Sequence, residues 1–277
     1  MSSFKAAALQ LNSQPSLEVN LSNAYNAIRR AVEQDAVFIG LPENFAFLGD
    51  DLEKQRRAGD INAAVMESIP QWAKEFGVHL LAGGFPVPAS NETPAKSYNR
   101  SILVGPDGTI LQQYDKIHLF DISLSRPESY KESETVKPGA LGGVVAEATI
   151  RGVEQKVRIG LSICYDIRFP ELYRLQSSQG ADILTIPAAF TRPTGKAHWE
   201  ILLRARAIEN SCYVIAPAQT GTHGLSRKTY GRSMIIDPWG RILSDAGEKP
   251  GMALAEINLD DIKDIRQKLP ALSHRKL

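Results

Sequence analysis

Arg100-Ser-Ile-Leu-Val-Gly-Pro-Asp-Gly-Thr-Ile-Leu111 and Arg232-Ser-Met-Ile-Ile-Asp-Pro-Trp-Gly-Arg-Ile-Leu243 share one layout. Each sets a β-rich run on either side of a tight connection punctuated by Pro and Gly, which predicts a β-hairpin. Two readings stand side by side. Either two unrelated hairpins met the same turn chemistry, or each hairpin belongs to one half of a pseudo-symmetric fold. The local pattern does not choose between them.

Around the hairpins, strand and helix signals alternate. Phe4–Gln10 and Val37–Leu41 read as short buried strands around a helix. That helix opens near Ser16, with Leu17, Leu21, Ala24, Ile28 and Ala31 on one face. A second helix, near Asn62–Phe76, spaces Val65, Ile69, Trp72 and Phe76 helically and stops at Gly77. His79–Phe85 then reads as a strand. Val157–Ile163 alternates Val157, Ile159, Leu161 and Ile163 with Arg158, Gly160 and Ser162. Pro170 suits the first turn of the next helix and Gly180 its end. Ile183–Ile186 and Tyr213–Ala216 are predicted strands flanking a helix over Lys196–Asn210. The pattern implies an α/β chain of mixed sheets covered by helices on their outer faces. No linker divides it, and Asp121–Pro138 is its longest expected irregular piece.

Composition narrows the partners. Of 277 residues, 43% are hydrophobic and 23% charged, and the net charge is +1. There is no basic field for nucleic acid or an acidic membrane, which leaves a small-molecule or protein partner. Cys164 and Cys212 make no disulfide framework and lack zinc-site spacing. The opening residues read as a strand and no apolar run approaches bilayer length, so a reducing, cytoplasmic setting is expected. Gly195-Lys196 has Phe190 where a phosphate-binding loop needs its first glycine, and no Gly-x-Gly-x-x-Gly follows a predicted strand.

Cys164 ends a predicted buried strand just before a helix. Such a turn can expose a nucleophile and bring backbone N–H groups near it. The plainer reading is a buried structural cysteine, preferred for Cys212. Glu43 follows a core strand, where a partly buried carboxylate can act in proton transfer, although acids after strands are commonly caps. Lys116 follows a hairpin and becomes notable only with a partner. The five histidines form neither His-x-His nor His-Glu-x-x-His, which argues against a zinc hydrolase.

Three segments together resemble the nitrilase superfamily of carbon–nitrogen hydrolases: Leu41-Pro-Glu-Asn44, Tyr114-Asp-Lys-Ile-His-Leu-Phe-Asp121 and Ser162-Ile-Cys-Tyr-Asp-Ile-Arg-Phe-Pro-Glu-Leu172. The resemblance spans the whole chain, 1–277, as a single carbon–nitrogen hydrolase domain. It implies a four-layer α-β-β-α sandwich, pseudo-symmetric and paired into a homodimer. It carries a catalytic triad onto Glu43, Lys116 and Cys164. A further pocket glutamate falls on Glu132, with Glu128 and Glu134 as competitors. On this resemblance Glu43 takes the Cys164 proton, and Lys116 with the Tyr165 backbone N–H holds the oxyanion. The reaction runs through a thioester without metal or organic cofactor.

For the substrate, Arg168 stands one helical turn beyond Cys164 and is a candidate partner for a substrate carboxylate, or else an ordinary helix-start arginine. The segments Cys164–Glu171, His118–Asp121 and Leu269–Arg275 look most like the amidase branch that processes deaminated glutathione to 2-oxoglutarate and cysteinylglycine. The alternative is an ω-amidase acting on 2-oxoglutaramate or 2-oxosuccinamate. A true nitrilase, a non-catalytic scaffold and a thiol redox protein are the remaining readings. The intact Glu–Lys–Cys set weighs against the scaffold, and the lack of a nearby resolving cysteine weighs against redox work.

Overall fold

In β1 (Ser3–Leu11), Ala6 and Ala8 turn to one side and Ala7 and Leu9 to the other, and all four are fully buried. A strand buried on both faces needs a layer on each side. The computed structural model supplies both; it describes residues 2–90, 95–125 and 128–276, without the side chains of Leu124, Ser125 and Glu128.

The first half runs β1, α1 (Leu17–Val32), β2 (Phe38–Gly40), α2 (Asp51–Arg56), α3 (Ala58–Phe76), β3 (His79–Pro88) and the hairpin β4 (Ser97–Val104) with β5 (Ile110–Asp115). A small hairpin, β6 (Asp121–Ser125) with β7 (Glu128–Lys131), and then β8 (Val144–Ala148) lead into the second half. That half runs β9 (Val157–Leu161), α4 (Pro170–Ser178), β10 (Ile183–Thr185), α5 (Arg192–Thr194), α6 (Glu200–Asn210) and β11 (Tyr213–Ala216). The hairpin β12 (Ala218–His223) with β13 (Arg227–Tyr230) follows, then β14 (Met234–Ile236) with β15 (Ile242–Asp245), β16 (Gly251–Asn258) and α7 (Leu259–Lys268).

The two sheets repeat one topology. In the first, β1, β2 and β3 pair in parallel, then β4 and β5 add antiparallel. In the second, β9, β10 and β11 pair in parallel, then β14 and β15 add antiparallel. Each half also lends its last strand to the other. β8 lies antiparallel to β9, and β16 lies antiparallel to β1. Reciprocal exchange in matching places favours the pseudo-symmetric reading of the two hairpins over chance.

The core follows from this stacking. Phe38, Leu81 and Leu103 of the first sheet pack towards Ile159, Ile183 and Ile235 of the second. On the outer face of the first sheet, Leu9, Ile39 and Leu80 meet Ile28 of α1 and Val65 and Ile69 of α3. Leu172, Leu203 and Ala207 of α4 and α6 cover the second sheet, completing the α-β-β-α sandwich. Hydrophobic burial across these three interfaces is the main favourable term in folding.

Several local expectations need correction. Asp121–Pro138 contains β6, β7 and a 3₁₀ turn at Glu132–Glu134, so it is not an irregular stretch. Its polar composition reflects a two-stranded ribbon with Asp121, Ser123, Ser129 and Lys131 exposed. The helix expected over Lys196–Asn210 begins as a π turn at Gly195–Trp199. Cys212 sits just ahead of β11, fully buried. Among the described residues no helix is long and apolar enough to cross a membrane.

Candidate active site

Three strand ends converge on one cavity. Past β2, Leu41 donates its N–H to Leu81 O and holds the parallel pairing one step longer before the chain turns at Pro42. Glu43 follows, and Asn44 takes a left-handed φ of 58° while its N–H donates to Gly84 O at 2.6 Å. This close approach requires glycine. A Cβ on Gly83 would collide with the Leu41 and Pro42 backbone, and one on Gly84 with the Asn99 side chain. Cys164 follows β9 and opens the 3₁₀ turn Cys164–Arg168 with φ 49°. A non-glycine residue in that region is strained, and its N–H is fixed to Pro187 O at 2.9 Å. Lys116 follows β5 and is anchored by its own N–H to Asn99 O at 2.9 Å.

The side chains meet in near-complete burial: Glu43 is 3% exposed, Lys116 1% and Cys164 7%. Lys116 Nζ donates to Glu43 Oε1 at 3.2 Å and to Glu132 Oε2 at 2.8 Å. Asn99 Nδ2 spans the same two carboxylates, 2.9 Å from Glu43 and 3.2 Å from Glu132. The other oxygen of Glu43 accepts the Ala189 N–H at 2.8 Å, and Glu132 accepts the Phe120 N–H at 2.7 Å. The Cys164 thiol lines the same cavity as Glu43, whose carboxylate acts on it.

These contacts set the charges. Burial opposes ionisation of Glu43, but the Lys116 ammonium, the Cys164 thiol, the Ala189 N–H and the Asn99 amide overcome it. They hold its carboxyl below the ordinary range. Burial pulls the Lys116 ammonium down, yet Glu132 and Glu43 outweigh it and leave the amine firmly charged. Burial and then the Glu43 carboxylate push the Cys164 thiol well up. The resting site is therefore a neutral thiol beside an ionised carboxylate, with an ammonium clamped between two acids.

A second network holds the thiol turn against the lysine turn. Fully buried Asp166 accepts the Ile163 N–H at 2.9 Å, the Tyr114 hydroxyl at 2.7 Å and the His118 N–H at 3.1 Å, and His118 Nδ1 lies 2.7 Å away. The His118 ring stacks on Phe169 with centroids 3.6 Å apart.

Of the residues singled out in the sequence, Glu43, Lys116, Cys164, Glu132 and Tyr165 line this one cavity. Glu134 faces solvent and pairs with Lys131 at 3.6 Å; the side chain of Glu128 lies outside the described residues. Arg168 does not reach the cavity lining. Its guanidinium lies over the rings of Tyr165 and Phe190, 5.6 and 5.2 Å from their centroids, with one nitrogen 3.3 Å from His198 Nδ1. Arg168 thus stands behind two lining rings and is not itself among the lining residues. Asn99, the Ala189 N–H, Lys54 and Arg227 were not singled out, although all four belong to the site or its walls.

A sandwich with a thiol, a carboxylate and an ammonium gathered at the strand ends defines a class: the chain belongs to the carbon–nitrogen hydrolase family, whose pattern matches residues 5–267. A protein of Synechocystis sp. named deaminated glutathione amidase is 53% identical over 275 residues, covering 99% of both chains. Among solved structures, the Caenorhabditis elegans NitFhit protein superposes with a TM-score of 0.88 at 37% identity, over 100% of this chain and 66% of that one. Saccharomyces cerevisiae Nit3, described as a member of branch 10 of the nitrilase superfamily, gives a TM-score of 0.84 at 29% identity. That match covers 100% and 97% of the two chains.

Proposed function

We propose that this protein is an amidase that hydrolyses deaminated glutathione to 2-oxoglutarate and cysteinylglycine through a thioester on Cys164. The observation that carries the reading is the gathering of a buried neutral thiol and an ionised Glu43 in one cavity, with Glu43 itself bonded to the Lys116 ammonium. A thiol of high pKa needs a base at the moment of attack, and Glu43 is already in its basic form. As the sulfur adds to the amide carbon, Glu43 accepts the proton. The carbonyl oxygen becomes an oxyanion held by Lys116 and the Tyr165 N–H, which stands at the start of a 3₁₀ turn where the helix itself has no use for it. Collapse breaks the C–N bond, and Glu43 hands its proton to the departing amine. It then takes a proton from water, which attacks the thioester; the C–S bond breaks, the acid is released and Glu43 returns the proton to the Cys164 sulfur. Glu132 keeps the Lys116 ammonium charged and in place throughout. The substrate class rests on the relatives that carry the name deaminated glutathione amidase.

The test is a substrate panel with ammonia and amine products measured separately, together with intact-mass analysis of the protein during turnover. Faster release of cysteinylglycine from deaminated glutathione than of ammonia from 2-oxoglutaramate supports the reading, as does a transient 2-oxoglutaryl adduct on Cys164. No adduct and no turnover across the panel would return the chain to the scaffold reading.

The same reading includes a homodimer in a reducing, cytoplasmic setting that keeps the thiol free. Ile201 and Ile208, two turns apart on α6, are 68% and 48% exposed, and Trp239, next to the Gly240 that Ile208 packs against, is 56% exposed. An apolar patch of this kind is a surface for a second copy. Sedimentation equilibrium giving the mass of one chain at micromolar concentration would remove the dimer.

A further inference from the structure

Apart from Lys131, which is exposed and paired with Glu134, the cavity wall holds two cations that the chemistry above does not use. Lys54 of α2 is almost fully buried, and its ammonium donates to Asn44 Oδ1 at 3.2 Å and pairs with Asp51 Oδ1 at 3.0 Å. Arg227, the first residue of β13, reaches the same Asp51 oxygen at 3.5 Å and lies over the Tyr130 ring. Asp51 is held ionised, its carboxyl lowered to about 2, foremost by Lys54 and also by Arg227. One carboxylate thus serves two cations and leaves an excess positive charge.

Hydrogen bonding is likewise incomplete, since Arg227 Nε is buried without a partner among the described residues. A buried donor left unpaired is costly, and a guanidinium presents a fork that matches a carboxylate. Both cations line the cavity that holds Cys164, with Phe120, Tyr165 and Phe190 as its apolar walls. Asn44, which fixes Lys54, directly follows Glu43, so the cationic corner and the catalytic carboxylate are built on one turn.

We propose that Lys54 and Arg227, bridged by Asp51, form the subsite that takes a carboxylate of the amide substrate, a task for which the sequence pointed to Arg168. The proposal deepens the amidase reading and rests on it for the identity of the ligand. Deaminated glutathione carries a carboxylate at each end, whereas 2-oxoglutaramate carries only that of the acyl half. The two compounds therefore report which end is held.

Both are titrated calorimetrically into Cys164→Ala protein, with and without Arg227→Gln or Lys54→Met. Loss of one charge-assisted contact should raise the dissociation constant about tenfold to a hundredfold. Weakening for both ligands assigns the acyl carboxylate. Weakening for deaminated glutathione alone assigns the glycine carboxylate. Arg227→Lys should recover part of the affinity, which a merely misfolded wall would not. Unchanged affinity in both Arg227→Gln and Lys54→Met overturns the proposal. Binding does not depend on turnover, so Arg227-dependent binding by a protein that hydrolyses neither compound would sink the amidase reading and leave the subsite standing.

Discussion

The two halves of the sandwich carry the same turn with different contents. Gly40 of β2 pairs with Ala8 and Leu81, and Thr185 of β10 pairs with Leu161 and Ile215 in the matching register. Leu41-Pro42-Glu43 therefore corresponds to Ile186-Pro187-Ala188. Likewise Cys164, three residues past Leu161, corresponds to Leu11, three past Ala8. Each hairpin has an ion pair on its leading arginine, Arg100 with Asp115 and Arg232 with Asp245, although the register that matches the two arginines puts Gly247 where Asp115 stands. Yet Lys116 after β5 has Glu248 as its counterpart in the aligned hairpins. One half supplies the acid and the ammonium, and the other supplies the thiol. The empty turn is not idle, because its Pro187 carbonyl fixes Cys164 and its Ala189 N–H fixes Glu43. Duplication of a scaffold gives two matching turns, and facing them lets one hold the groups of the other.

The largest effect that can break this division of labour is removal of the thiol. Cys164→Ala should lose about four to six orders of magnitude in kcat, as expected for a covalent nucleophile, with the circular dichroism spectrum unchanged. Residual turnover near wild type would mean that chemistry is not confined to this half. The reverse experiment fills the empty turn. Ala188 is fully buried, and in Ala188→Glu the new carboxylate lacks the clamp that Lys116 gives Glu43. An uncompensated buried charge should cost about 3–5 kcal/mol, read from urea unfolding. A variant as stable as wild type would show that the ammonium is not what lets the first turn carry an acid.

How much of this is legible in the sequence depends on what kind of signal each part leaves. β1 could be read as a continuous apolar run because it is buried on both faces, and β9 by the alternation of its apolar residues. Glu43, Lys116 and Cys164 could be read because each sits in a motif directly after such a strand. Asn99 could not be: it lies within β4 and matters only because β3 and β4 bring it across from Glu43 and Glu132. The Ala189 N–H is a backbone group and leaves no side-chain signature at all. Arg227 and Lys54 meet from elements over a hundred residues apart, and the sequence shows the nearness of Arg168 to Cys164 while it does not show cavity walls. The β6–β7 ribbon escaped because its exposed polar positions hide the alternation.

A subtler effect separates the roles of the two turns. In Glu43→Gln the carboxylate that raises the thiol is gone while Lys116 remains, so the thiol pKa should fall relative to wild type even as turnover collapses. The pH dependence of iodoacetamide alkylation reads this directly, and its midpoint should move to lower pH. The wild-type rate gives the complementary sign. Glu43 is held below the ordinary glutamate value, so its basic form persists through mildly acidic pH. It is lost only as pH falls through that lowered pKa. An alkylation midpoint that stays put or rises would detach the carboxylate from the thiol.

The smallest effect concerns the seam between the halves. Asp166 belongs to the thiol turn, but the Tyr114 hydroxyl and both His118 donors come from the lysine turn. Tyr114→Phe removes one of these donors and also strips the Ile117 N–H of its acceptor at 3.3 Å. It leaves the ring volume in the core. A loss of about 1–2 kcal/mol in stability is expected from one hydrogen bond to a buried charge. Because the seam fixes where the ammonium lies relative to the sulfur, kcat should drop by more than KM rises, by about tenfold for a small displacement. If stability falls by the expected amount while kcat is untouched, Asp166 fastens the sheets together without registering the two turns. The alignment of Lys116 with Cys164 would then rest on the Lys116–Glu43–Glu132 contacts alone.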